Sequence, residues 1–371
     1  MAPIPVVLLW YVGQSPLAGE RQGRHSGRLV ELDVFAAHGA DRIRAVALTT
    51  AGPGPSITPF RVEFPPVPVS PTATAEHIKD VNTRYHDAAA DEYDAKWGID
   101  FGDVGQEQVR QKLVKALGPA SRRTFGDGLE IGSGTGYFSL NLLQLGTIER
   151  LTATDISPGM LRRLSTTADA LGLNVKTVRT EAEVLPFPDE SFDLVFGHAV
   201  LHHIPDLEKA LAEFRRVLRP GGCLAFCGEP SRYGDRLAAL PKRAGMLAAP
   251  VWRRLVRAHE RLVPEVEQSS GHALESEVDV HAFAPADLRR LLRDADFGDR
   301  RVGGEELLAN AWGWGLRTVE SSAEPESVPF GWRRFAFRSY IALQKVDTRL
   351  LEPHLPAELF YNLLVSGRKP V

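Results

Sequence analysis

The stretch Leu129-Glu130-Ile131-Gly132-Ser133-Gly134-Thr135-Gly136-Tyr137 constrains the fold more than any other part of this chain. Apolar residues running into alternate glycines read as a buried strand that ends in a tight loop and opens a helix. A side chain at Gly132 would clash in the sharp turn, while Gly134 and Gly136 let the backbone approach a ligand closely. Such a loop presents backbone N–H groups at a helix N-terminus, where polar ligand groups are received. Three spaced glycines alone occur in many loops. The strand before and the helix after give these their weight, and an acid, Asp155, closes the next apolar run. The dinucleotide fingerprint G-x-G-x-x-G sets its third glycine one residue later, so the spacing disfavours a nicotinamide dehydrogenase.

Beyond the loop, apolar runs alternate with helical periodicity. Strands are expected at 129–131, 151–154, 175–179, 192–196, 223–227, 300–308 and 359–367, and helices at 109–117, 137–145, 158–171, 207–217 and 288–295. In the 207–217 helix, Leu207, Ala210, Leu211 and Phe214 share one face. Strands separated by helices imply βαβ units and a parallel sheet. Upstream, Tyr85, Tyr93 and Trp97 recur at helical spacing within 75–97.

Five segments in order carry a family resemblance over about a hundred residues. The glycine loop preceded by Glu130 is the first. Leu151-Thr152-Ala153-Thr154-Asp155-Ile156-Ser157 is the second, and Glu181-Ala182-Glu183-Val184-Leu185-Pro186-Phe187 resembles a "D-A-E-x-L-P-F" segment. Ser191 to Phe196, then His198 and Leu201-His202-His203-Ile204-Pro205-Asp206, is the fourth; Arg219-Pro220-Gly221-Gly222 is the fifth. Together they resemble class I S-adenosylmethionine (SAM)-dependent methyltransferases, in pattern those of ubiquinone/menaquinone-biosynthesis type. The resemblance implies a Rossmann-like, seven-stranded, mostly parallel sheet with helices on both faces, the last strand antiparallel. It also implies methyl transfer from SAM to a small or medium organic acceptor, giving S-adenosylhomocysteine.

The resemblance assigns roles by position. Glu130, Gly132, Gly134 and Gly136 would form the loop around the methionine and ribose, and Asp155 would accept from both ribose hydroxyls, since a carboxylate has two acceptor oxygens. Ile156 would pack on adenine, Glu181 would read its edge where aspartate is usual, and the Ala182 N–H would share that contact. Tyr85-His86-Asp87 and Tyr93-Asp94 resemble a helix that covers the cofactor; the alternative is aromatic side chains docking a helix on the core. His198 would face the methionine moiety. His202 and His198 are the candidates for a base, because imidazole exchanges protons near neutral pH; the alternative is packing at a helix start. Adjacent His202 and His203 point apart, with no partner spaced to close a metal site, so no metal is expected.

The chain has 371 residues and a net charge of -3, which gives no support for nucleic-acid binding. Its two cysteines, Cys223 and Cys227, fall on one face of an expected buried strand and read as core residues of a cytoplasmic protein. The run at 6–12 is too short to span a membrane and lacks a basic leader. Residues 1–70, with strands expected at 6–12, 29–35 and 43–49, read as an appendage, β-rich or poorly ordered. Residues 71–371 read as the catalytic domain, interrupted at about 231–284 and 311–357 by insertions forming a helical lid. The second insertion holds Trp312, Trp314, Phe330, Trp332, Phe335, Phe337 and Tyr340. Packed over the site, these would favour an apolar or cyclic acceptor; packed between copies, they would make a homodimer. The first insertion combines apolar and basic residues. A solvated lid face is favoured there over peripheral membrane contact with a quinone or lipid acceptor. A non-catalytic SAM-binding partner protein remains the alternative from another class.

Overall fold

The computed structural model describes residues 29–35, 42–48, 74–90, 93–94, 99–261 and 281–371. Residues Met1–Pro71 and Thr72–Val371 form separate compact units. In the first, β1 (Leu29–Phe35) and β2 (Arg42–Leu48) pair antiparallel, with Leu29 opposite Leu48. The strand expected at 6–12 lies outside the described residues.

The second unit is built on a seven-stranded sheet. Its strands are β3 (Phe125–Ile131), β4 (Ile148–Asp155), β5 (Val175–Arg179), β6 (Phe192–His198), β7 (Leu218–Pro230), β8 (Gly298–Glu305) and β9 (Asn362–Arg368). Their order is β5-β4-β3-β6-β7-β9-β8, and only β9 runs antiparallel to its neighbours. The central strands read as near-continuous apolar runs because helices cover both faces. Alternation along β7 shows the division: Leu224 and Phe226 join the core under α5 (Leu207–Val217) and α7 (Pro285–Asp294). Cys223, Ala225 and Cys227 join the opposite core with α2 (Asp103–Leu117), α3 (Tyr137–Gln144) and α4 (Pro158–Ala170). Both cysteines are buried and unpaired.

The Arg219-Pro220-Gly221-Gly222 segment, expected as a turn before the strand, lies inside β7 as a bulge. Phe192 opposes Leu218 and Leu194 opposes Cys223, so the extra residues loop out while pairing continues on both sides. Strand β8 ends at Glu305, three residues before its expected limit, and the chain turns at Glu306 into α8 (Leu307–Ser321).

The insertions contribute α6 (Gly234–Val256), α8 and α9 (Phe330–Val346). They pack on one another through their own small core of Ala249, Trp252, Val319, Ala323 and Val328, with Trp332 against it. The Trp252 and Trp332 rings meet edge to face at 5.2 Å. Both oxygens of buried Asp347 accept from the opening amides of α8, Leu308 N at 3.0 Å and Ala309 N at 2.9 Å.

A buried ionic cluster fastens this lid to the sheet. Lys112 of α2 pairs with Glu305 at the end of β8 and with Glu306. Glu306 in turn accepts from Tyr340 Oη and Gln344 Nε2 of α9, each at 2.9 Å. Burial alone would discharge Lys112, but the two carboxylates outweigh it and raise its pKa. Removing one partner of such a cluster strands a buried charge. Lys112→Met is expected to lower unfolding stability by roughly 3–5 kcal/mol, and Lys112→Met with Glu305→Gln to recover part of that loss. Denaturant titration of both variants measures the difference.

Candidate functional site

The glycine loop leaves β3 and turns directly under the segment that follows β6. A Cβ on Gly132 would sit 2.2 Å from Val200 Cγ2, so only glycine fits that approach. Asp155, at the end of β4, joins two loops: its Oδ2 accepts from Gly134 N and its Oδ1 from Ser157 N, both at 2.8 Å. Ser157 then caps α4 by accepting from Met160 N. Burial pushes the Asp155 carboxyl up to about 6, against the lowering effect of the backbone donors.

The loop's other glycines differ in purpose. A Cβ on Gly134 (φ +51°) would meet nothing within 4 Å, whereas one on Gly136 (φ +92°) would lie 2.8 Å from Leu140 and 3.0 Å from Leu164. Gly136 therefore also serves helix-to-core packing.

A cleft of about 770 Å³, partly continuous with solvent, opens beside the loop at the C-terminal ends of β3, β4 and β6. Of the residues singled out from sequence, Gly132, Gly134, Asp155, Ile156, Glu181, Ala182, His198 and Tyr93 line it. Tyr85, Glu130, Gly136 and His202 do not. Helix α1 (Ala75–Ala89) supplies Lys79, Asn82 and His86 to the lining. The helix is tied down at two points. Lys79 pairs with Glu181 at 2.6 Å and Glu183 at 3.2 Å, and Asp87 Oδ1 accepts from Ser157 Oγ at 2.5 Å and Gly159 N at 2.6 Å. Tyr85 contributes indirectly, its ring edge-on to His86 at 5.2 Å, and His86 meets His203 at 5.6 Å. Glu181, expected to read a ligand edge, is thus engaged by Lys79.

Several polar atoms around the loop are buried without a hydrogen-bond partner: Glu130 Oε2, Ser133 Oγ, Thr135 Oγ1 and, on α1, Asn82 Oδ1. Burial raises the Glu130 carboxyl well above the usual range. Native interiors seldom leave such groups unmatched, and clusters of them mark sites that take polar ligands.

The histidines sort by depth. Burial in the cleft wall, and beyond it the Lys112 ammonium, push His198 down to about 3. His198 is part of the cleft lining. His202 sits behind the lining, its ring 3.9 Å from that of His203, and His203 faces the cleft. His202 Nδ1 lies 2.9 Å from Glu229 Oε2.

Glu229, on β7 and fully buried, was not visible as a site residue from the motifs. Its carboxylate accepts from Val200 N and Leu201 N at 3.0 Å and from His202 N at 3.3 Å, and so shapes the loop that closes one side of the cleft. One signal was available: an acid ending the apolar run Cys223–Cys227, where a buried charge demands partners.

No residue of either insertion is among the described residues lining the cleft. Their tryptophans are spent elsewhere: Trp252 and Trp332 in the lid's core, Trp312 on Ser339 at 2.8 Å, and Trp314 against Tyr361 at 5.6 Å. The described parts of the insertions pack on each other and contribute nothing to the lining of this cleft. Among the described residues no group of three or more His, Cys, Asp or Glu side chains could hold a metal ion.

Comparison with known proteins places this geometry. Residues 129–226 match the family model described as "Methyltransferase domain". The malonyl-[acyl-carrier protein] O-methyltransferase of Methylococcus capsulatus is 37% identical over 166 residues, covering 40% of this chain and 56% of that protein. The demethylmenaquinone methyltransferase of Thermus thermophilus is 38% identical over 121 residues, covering 33% and 53%. The ubiquinone/menaquinone biosynthesis C-methyltransferase of Methylobacterium nodulans is 38% identical over 125 residues, covering 32% and 48%. The chain thus spans about half the length of the curated relatives it matches. Among solved structures, phosphoethanolamine N-methyltransferase 2 of Haemonchus contortus aligns with a TM-score of 0.49 and 17% identity, covering 81% of this chain and 61% of that one; so distant a likeness does not bear on the site. Residues 129–226, which carry the glycine loop, Asp155 and the segment after β6, thus match a methyltransferase domain, on a sheet of Rossmann-like strand order.

Proposed function

We propose that this protein transfers a methyl group from SAM to a small or medium, apolar or cyclic organic acceptor. The observation that carries the reading is the convergence of Gly132, Gly134, Asp155, Ile156 and Ala182 on one cleft within a methyltransferase domain. The residues fit the cofactor. Each Asp155 oxygen already takes one backbone N–H and keeps further acceptor capacity, which suits the two hydroxyls of a ribose. Ile156 offers an apolar wall for a base. The bare backbone of Gly132 and Gly134 in the cleft wall suits the close approach of an amino-acid end. When bound, SAM supplies an electrophilic methyl group.

The chain's own part is to hold, orient and exclude water. Asp155 holds the ribose, and the Ala182 N–H takes more of the adenine contact because Glu181 is engaged by Lys79. Helix α1, fastened through Lys79 and Asp87, covers the cleft. His203 lies in the lining with His202 and Glu229 behind it, and takes the proton released by a phenol or enol acceptor. The role given to His202 by sequence thus moves one residue on.

The acceptor's character rests on Val200, Ile204, Pro205 and Tyr93 in the lining. Two of the relatives are named for methylation in quinone biosynthesis, which agrees with a cyclic acceptor. The unpaired, buried Cys223 and Cys227 suit the reducing cytoplasm. The deciding experiment is a labelled-SAM assay over phenols, quinones, amines and polyketide-like acceptors. Tight SAM binding with transfer to none of them would favour a non-catalytic partner protein.

Asp155 gives the reading a pH signature. Burial pushes its carboxyl up to about 6, above the ordinary range of an aspartate, and hydroxyl donors favour the ionised form. SAM affinity is therefore expected to be flat above about 6 and to fall as pH drops through that value, measured by calorimetry. Asp155→Ala is expected to lose roughly 2–3 kcal/mol of binding and the pH dependence with it.

The two glycines separate binding from folding. Gly134→Val should abolish SAM binding and cost only about 1–2 kcal/mol of stability for its left-handed backbone. Gly136→Val should cost roughly 2–4 kcal/mol from overpacking and strain together. Equal melting temperatures for the two variants would contradict the assignment. For Glu229→Gln the expected result is a fall in kcat, and a shifted kcat–pH profile, with SAM affinity nearly unchanged.

A further inference from the structure

Helix α6 has two apolar faces, and packing accounts for one. Ala238, Ala249 and Trp252 are buried, the last two in the lid's core with residues at the end of α8. On the other face Leu237, Leu240, Leu247, Val251 and Leu255 are 45–82% exposed. Their spacing places them, with exposed Ala244 and Ala248, on one stripe. From Leu237 to Leu255 the stripe runs about 27 Å at 1.5 Å per residue. No position within it bears a hydrogen-bonding side chain.

Charge borders this stripe on one side. Arg243 and Arg254 fall along its edge by helical spacing, and exposed Arg257 follows the helix. Helix α9 has the same composition: Phe330, Phe335 and Phe337 are exposed among Arg333, Arg334 and Arg338. Two other α6 cations, Lys242 and Arg253, are turned to the lid, over Trp314 and against Glu260, which leaves Arg243 and Arg254 to border the stripe.

A stripe this long and this apolar is not left open to water without use. Aliphatic side chains edged by arginines, on a helix lying along the surface, match the boundary between acyl chains and anionic headgroups. Among the described residues no helix is long and apolar enough to cross a membrane, so the contact is with its surface. Helix α6 follows the C-terminal end of β7, the edge of the sheet at which the cleft lies.

We infer that the exposed face of α6 is a docking surface for an anionic lipid bilayer, from which the enzyme draws its acceptor. The second clause rests on the methyltransferase reading; the first does not. The test is co-sedimentation of the full chain with phosphatidylcholine vesicles, with and without 30% phosphatidylglycerol as a trial composition of about that charge density. Binding should require the anionic lipid and weaken with salt. Leu247→Asp with Leu255→Asp, and separately Arg243→Glu with Arg254→Glu, should each reduce the bound fraction at least roughly tenfold. Both side-chain pairs lie away from the cleft, so SAM affinity and transfer to a water-soluble acceptor should stay unchanged. Absence of vesicle binding, or equal binding by the variants, overturns the inference. So does light scattering that shows the wild type as a dimer and Leu247→Asp with Leu255→Asp as a monomer, or capture of an acidic carrier protein, lost in the variants, without vesicle binding. Vesicle binding without methyl transfer to any acceptor would leave the docking surface standing and remove the enzymatic reading alone.

Discussion

Two backbone amides, those of Gly134 and Ser157, converge on the buried carboxylate of Asp155. That carboxylate holds the loop after β3 and the helix entry after β4 in one geometry. The loop is held on the end of β4, where Ser133 N also donates to the Thr154 carbonyl at 2.8 Å, and Ser157 is held where it caps α4 and donates to Asp87 of α1. Desolvation raises the carboxyl's pKa, so the contact is costly to keep ionised when empty of further donors. Ligand hydroxyls would relieve that cost, which is how one residue can serve both architecture and binding.

A second buried carboxylate does the same for the opposite wall. Glu229 gathers three consecutive amides, from Val200 to His202, and the His202 ring. Val200 then packs where a Gly132 side chain would be, so the two walls are fitted to one another. In each case a strand's C-terminal acid is desolvated by the sheet and satisfied by a neighbouring loop. Loops held in this way can line a cleft without adding a core of their own.

The lid follows a different rule. Its aromatic residues make a satellite core, and Lys112 with Glu305 and Glu306 pins that core to β8 and α2. The attachment is ionic and buried, so it fixes position more than it adds stability. The lid presents one face of α6 outward, with Leu240, Leu247, Val251 and Leu255 exposed along it.

The strand–glycine–helix pattern and the apolar periodicity were sufficient to read the parallel sheet, its seven strands and the place of Asp155, because these rest on local conformation and on spacing along the chain. Sequence did not separate Gly134 from Gly136: what distinguishes them is the placement of Leu140, one turn on, together with Leu164, twenty-eight residues beyond Gly136 and brought near by α4 packing. Nor could it show that Lys79 engages Glu181, that Glu229 stands behind His202, or that Trp252 and Trp332 face one another and not the cleft. Each of these is a contact between segments far apart in sequence, decided by how helices seat on the sheet. The amphipathic character of α6 was legible as composition, but which of its two apolar faces is buried was settled only when α8 packed against one of them.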